Sequence, residues 1–278
     1  TFLRMIQSDP SVNRIPVMID SSDFSVIQAA MEEIQGRCII NSISLKEGEA
    51  VFLDHAREIQ RFGHAMVVML FDEQGQADTL ERKIACARRS CDLLFGAGIR
   101  PEDIIIDPNV FGLRNRRAEH DGYARDFIQA VAWIHQHIPQ VHVSGGVSNL
   151  SFAFRGNNAI RGAMHSVFLD LSGLDMAIIN PGMDRDVSHI GAEEREIISR
   201  ALRIGDHASG EALIALAGVM VPSGSPVKTK TEVEAWKTLP PKERLTQAVV
   251  HGDDSLLSQD LAALDGEDPL SLVEGPLM

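Results

Sequence analysis

Six short apolar runs constrain this chain more than any other feature: "PVMID" (16–20), "CIIN" (38–41), "AMVVMLF" (65–71), "DIIID" (103–107), "VHVSG" (141–145) and "DMAIIN" (175–180). A strand with one wet face alternates apolar and polar residues. These runs are continuous, as strands covered on both faces should be. Helical patterns lie between them. Ile27, Ala30, Met31 and Ile34 share a face, as do Phe52, His55, Ala56 and Ile59, with Gly63 as a stop signal. Tyr123, Phe127, Ala130, Val131, Ile134 and Ile138 form a longer stripe, and Asp78 is the expected N-cap of the helix after it. Strand–helix repeats of this kind build parallel βαβ units.

Two architectures use such units, the doubly wound sheet and the (β/α)8 barrel. Asp20, Asn41, Asp72, Asp107, Ser144 and Asn180 all stand at or just past the C-terminal end of a run. In a barrel those ends converge on one mouth, where active sites are built. In an open sheet they spread along a line, with a ligand only at the switch point. The expectation is therefore an α/β chain with a (β/α)8 TIM-type barrel. Only six of its eight strands are counted, so the barrel reads as N-terminally truncated, with "TFLRMIQSDPSVNR" a helix leading into the first strand present. The chain opens without Met and stops after a structured-looking stretch, as a piece of a longer protein would.

Past Asn180, "EEREIISRALRIG" and "GEALIALAGVM" read as helices, and "VPSGSPVKTKTE" (221–232) as a linker. The remainder has apolar helical spacing and no strand. The expected organisation is a partial barrel over 1–220, the linker, and the start of an all-helical module over 233–278.

The net charge of −13 makes a nucleic-acid or anionic-lipid partner a poor fit for the chain as a whole. The one basic cluster, "RNRR" at 114–117, reads as a solvated loop. Cys38, Cys86 and Cys91 are too few and too oddly numbered for a disulfide scaffold, and fit a reducing, cytoplasmic compartment. None sits at Cys-x-x-Cys spacing, so no metal site is expected. No apolar run approaches the ~20 residues of a membrane span.

What could such a mouth hold? There is no nucleophile elbow, no GxGxxG, no Walker loop and no His pair at zinc spacing. The polar groups are carboxylates and carboxamides: Asp20, Asn41, Asp107 and Asn149. Each alone could simply cap a helix. Together, at four strand ends, they suit a flat heterocycle with donors and acceptors on its edge. The stretch "SGGVSNLSFAFRGNN" (144–158) adds small residues that let a ring approach the backbone.

"PVMIDSS", "INSISLKEGE", "FDEQGQADT", "IIIDPNVFGL", "SGGVSNLSFAFRGNN" and "AIINPGM" resemble the pterin-binding barrel of the cobalamin-dependent methionine synthase family, in register over residues 1 to about 190. "EAWKTLPPKERLTQAVVHG" and "PLSLVEGPLM" are similar to the opening of that family's cobalamin-cap module. The resemblance implies binding of 5-methyltetrahydrofolate and methyl transfer to cob(I)alamin carried on a neighbouring module of the same polypeptide. Zinc would belong to a separate homocysteine module outside this chain. By similarity, Asp20, Asn41 and Asp107 would hold the pyrimidine edge, Asn149 would reach N5 and act in catalysis, and Arg155 would take the glutamate tail. Asp72, Ser144 and Asn180 complete the expected site. The segment "HSVFLDLSGLDMAIIN" departs from the family in being a few residues short. Two other readings remain: a stand-alone corrinoid methyltransferase or dihydropteroate synthase-like enzyme, and a folate-binding fragment without catalysis.

Overall fold

The computed structural model describes residues 2–112, 122–182, 187–220, 235–251 and 256–264. The basic cluster 114–117, the linker 221–232 and the closing "PLSLVEGPLM" lie outside the described residues. The chain divides into two compact units, Thr1–Pro222 and Ser223–Met278.

In the first unit, β1 (Met18–Asp20), β2 (Ile39–Ile43), β3 (Ala65–Met69), β6 (Ile104–Asp107) and β7 (His142–Val143) form one parallel sheet. Their spatial order is their chain order. It never reverses, as it does at the switch point of a doubly wound sheet. Helices α1 (Phe2–Ser8), α2 (Phe24–Met31), α3 (Glu49–Arg61), α4 (Leu80–Gly96), α5 (Tyr123–His137), α6 (Asn158–Ser172), α7 (Ala192–Arg203) and α8 (His207–Val219) complete the unit.

Three details differ from the sequence expectation. The run 65–71 is not one strand: β3 ends at Met69, and β4 (Phe71–Asp72) folds back on β5 (Gly75–Gln76) as a small antiparallel hairpin. The N-cap of α4 is Thr79, whose hydroxyl accepts from the Arg82 N–H; Asp78 instead accepts from the Thr79 N–H. The sixth run, 175–180, forms a single bridge, between Gly146 and Ile178, rather than a strand, although the Asp175 and Met176 N–H groups donate to the Val143 carbonyl and the Ile178 N–H to that of Gly145. Here the Asp175 carboxylate accepts the Val143 N–H at 2.7 Å, taking a ladder position that a strand backbone would otherwise fill.

The period of two along a strand sorts residues between two faces. Ile40, Met66, Val68, Ile104 and Ile106 belong to the large core that also includes helix residues such as Ile27, Phe52, Ala87, Phe127 and Phe168. Ala65, Val67 and Ile105 form a separate, small cluster with Met18, Ile39 and Met176. Two residues beyond the members of this second cluster, on the same face, come Asp20, Asn41, Met69 and Asp107. Register places Asp20 beside Asn41 and Met69 beside Asp107. The apolar runs thus form a floor, and Asp20, Asn41, Met69 and Asp107 stand above it.

All three cysteines are buried and free. Burial pushes the Cys38 and Cys86 thiols up to about 11 and Cys91 to about 12, so they serve as small hydrophobes. In the second unit, helix Pro241–His251 packs against helix Leu257–Ala263, and Arg244 pairs with the buried Asp260.

Candidate functional site

A cavity of about 500 Å³ opens at the C-terminal ends of the strands, lined by Asp20, Asn41, Met69, Gln76, Asp107, Asn109, Val110, Gly146, Ser148, Asn149 and 178–180. Its walls carry two carboxylates and several amides over an apolar floor, a composition suited to a planar polar ring.

Asp107 is the most perturbed group in it. The residue is 8% exposed. Desolvation raises its carboxyl to about 6, against the opposing pull of the Asn109 backbone N–H, which donates at 2.8 Å, and of the Lys83 charge. The backbone of Asn109 is left-handed, at φ 61°. Asparagine tolerates that region better than most residues. Its side-chain amide donates to the Leu70 carbonyl at 2.7 Å, tying the 107–111 loop to the end of β3.

Behind this loop stands Lys83, fully buried on α4. Its ammonium donates to the carbonyls of Ala77 at 2.8 Å, Pro108 at 2.5 Å and Asn109 at 3.3 Å. It also lies 4.7 Å from the Phe111 ring centre.

The opposite wall is the segment Val147–Phe154, wound as short 3₁₀ turns. Ser151 anchors it: its hydroxyl is 2.8 Å from His165 Nε2 on α6 and accepts from Arg161 Nε at 3.1 Å. Burial, and then the Arg161 charge, push His165 down to about 4, so the ring is neutral at ordinary pH. Asn149 is exposed at the cavity rim, and no hydrogen bond engages its side chain among the described residues. The glycines before it divide their work. A Cβ on Gly145 would come within 3.0 Å of both Phe127 and Val110, so that glycine serves packing. Gly146 lines the cavity, where a Cβ would approach Asn149 Nδ2 at 3.5 Å.

Of the residues expected at the site, Asp20, Asn41, Asp107, Asn149 and Asn180 come together around the cavity. Asn180 also accepts from the Gly182 N–H at 2.9 Å, closing its own turn. Asp72 does not line it; the β4–β5 hairpin turns its carboxylate to Arg82 at 3.0 Å and the Gln74 N–H at 2.9 Å. Ser144 is 1% exposed and outside the lining. Arg155 is exposed, stacked 3.9 Å over the Phe152 ring. Gln76, Asn109 and Lys83 also belong to the site or its support, and their places in the sequence do not single them out as strand-end residues. Lys83 had a signal: it falls in line with Ala87, Ser90, Cys91 and Leu94 on the buried stripe of α4, where an unpaired charge is out of place.

Residues 1–180 match the family model described as pterin binding enzyme. The chain belongs to that family, and a pterin or folate is the ligand class it implies. Among the described residues no helix is long and apolar enough to cross a membrane, and no group of three or more His, Cys, Asp or Glu is arranged to hold a metal ion.

Proposed function

We propose that the chain binds 5-methyltetrahydrofolate in the strand-end cavity and positions it for methyl transfer to cob(I)alamin, the chemistry of methionine synthesis. The observation that carries this reading is the convergence of Asp20, Asn41, Asp107 and Asn149 on one cavity. Asp20, Asn41 and Asp107 suit the pyrimidine edge: carboxylates accept from its N–H groups, and a carboxamide both donates and accepts. Arg155, near the rim segment, suits the carboxylates of the glutamate tail.

The reaction breaks the bond between N5 and its methyl, leaving the electron pair on N5. A tertiary amine leaves poorly, so N5 must be protonated first. The corrinoid, carried on a neighbouring module, supplies the electron pair that receives the methyl. The protein needs no nucleophile of its own. Its tasks are to orient the ring and to favour N5–H⁺. Asn149 can do the second: its carboxamide oxygen accepts from protonated N5, and its NH₂ donates to neutral N5. An exposed position at the rim leaves the methyl accessible to a large acceptor.

The same cavity suits a pteroate-forming enzyme, the reading most in competition. Anaerobic mixing of the chain with 5-methyltetrahydrofolate and free cob(I)alamin separates the two. Conversion of the cob(I)alamin absorbance to that of methylcobalamin, at a rate set by the chain's concentration, supports methyl transfer. No conversion, with condensation of a dihydropterin pyrophosphate and p-aminobenzoate instead, refutes it.

A further inference from the structure

We infer that Lys83 is a positioning residue of the cavity: its ammonium fixes the 107–111 loop and its charge keeps the Asp107 carboxylate an acceptor. The inference rests on the pterin reading of the cavity.

An ammonium has three N–H donors, and three carbonyls surround this one. A neutral amine has two, so the full set is made only by the charged form. Among the described residues no carboxylate is within ion-pair distance of Nζ. Burial pulls Lys83 down to about 8, and the charged groups around it are Asp107, Asp126, Asp78 and Arg82. Asp107 heads the three that oppose the loss of charge. Seen from Asp107, the facing charged groups are Lys83 on α4 and, across the cavity, Asp20 on β1.

A buried lysine is an expensive way to satisfy loop carbonyls. Two of its three acceptors, however, are the residues directly after Asp107. Pro108 has no N–H, and Asn109 is left-handed, so this turn directs its carbonyls inward towards α4. The same contacts that hold the turn also bring a positive charge near the carboxylate. Without that charge the carboxyl keeps its proton to higher pH and presents an O–H where the ligand also presents N–H.

A plain structural role would make Lys83 matter equally at all pH values. Lys83→Gln separates the two, because glutamine retains two N–H donors and removes the charge. The full chain is titrated with 5-methyltetrahydrofolate from pH 5 to 9, wild type against variant. The acid limb of binding should move up by about one pH unit or more, so that affinity at its former midpoint falls several-fold, up to ~10-fold. Affinity should recover to within about threefold of wild type at the alkaline end, once the variant's carboxyl ionises. An unchanged midpoint overturns the inference, as does a uniform loss at every pH.

The ligand-free protein gives a second test that needs no stable variant. The ¹³C carboxyl resonance of Asp107 should titrate below pH 7 in wild type. A midpoint above 7 means that the carboxylate is not being held ionised, and overturns the inference. Should wild type bind no folate at any pH, the pterin reading itself fails; the shift of the Asp107 midpoint between wild type and Lys83→Gln, expected upward, still judges Lys83 separately, and an unshifted midpoint overturns the inference.

Discussion

Asp107→Asn should improve stability while damaging binding, a combination that a core residue does not give. The folded carboxyl titrates near 6, against 3.8 for a free aspartate. A folded carboxyl with a raised pKa holds its proton more tightly than the unfolded chain does. Stability therefore falls as pH rises from about 4 to about 6 and stays low above that. At 1.36 kcal/mol per pH unit, the ionised form costs about 3 kcal/mol. Asparagine imitates the protonated acid and keeps an oxygen for the Asn109 N–H. Its NH₂ needs an acceptor in a buried place, so the gain should be smaller than the full figure, about 1–2 kcal/mol at pH 8. For a chain of this size that is roughly 2–4 °C in Tm per kcal/mol. Below pH 4 the difference should disappear. Urea unfolding at pH 3.5, 5 and 8, with folate titration at pH 8, is the assay. Affinity should drop ten- to a hundredfold, as the loss of a charge-assisted hydrogen bond of ~1.5–3 kcal/mol requires. A variant less stable than wild type at pH 8, or one that binds folate unimpaired, refutes the reasoning.

Asn149→Ala should slow single-turnover methyl transfer by roughly 10²–10³, while folate affinity changes by only a few-fold, because the carboxamide acts chiefly on protonated N5; a normal rate with a lowered Tm would reduce Asn149 to a loop residue. Gly145→Ala should cost about 1–3 kcal/mol in urea unfolding, since its Cβ would press on Phe127 and Val110 at 3.0 Å. Val110 lines the cavity, so folate affinity should fall with it; a fully stable variant would mean the core can yield there.

The centre of the sheet was legible because β3 and β6 are buried on both faces and so read as unbroken apolar runs, "AMVVM" and "IIID". The same continuity hid where β3 ends, for Leu70 and Phe71 are as apolar as the strand before them. A hairpin with two residues per strand is too short to show a period. The 175–180 run looked like its neighbours because composition does not reveal that the Asp175 side chain takes a strand's hydrogen bond. At the site, Asp20, Asn41 and Asp107 could be read from their places at strand ends. Ser144 and Asp72 met the same criterion but lie outside the cavity, one buried and the other tied to Arg82. Asn109 was illegible for the opposite reason: its place depends on a left-handed backbone that sequence position does not announce.

Binding of a reduced folate in the strand-end cavity is proposed to run through an ionised Asp107. Calorimetric titration of the chain with 5-methyltetrahydrofolate, from pH 5 to 8, tests it most directly. One site per chain is expected, with affinity rising through an acid limb at about pH 6 and a limb that vanishes in Asp107→Asn. Absence of binding across this range, or binding whose pH dependence survives that substitution unchanged, would contradict it.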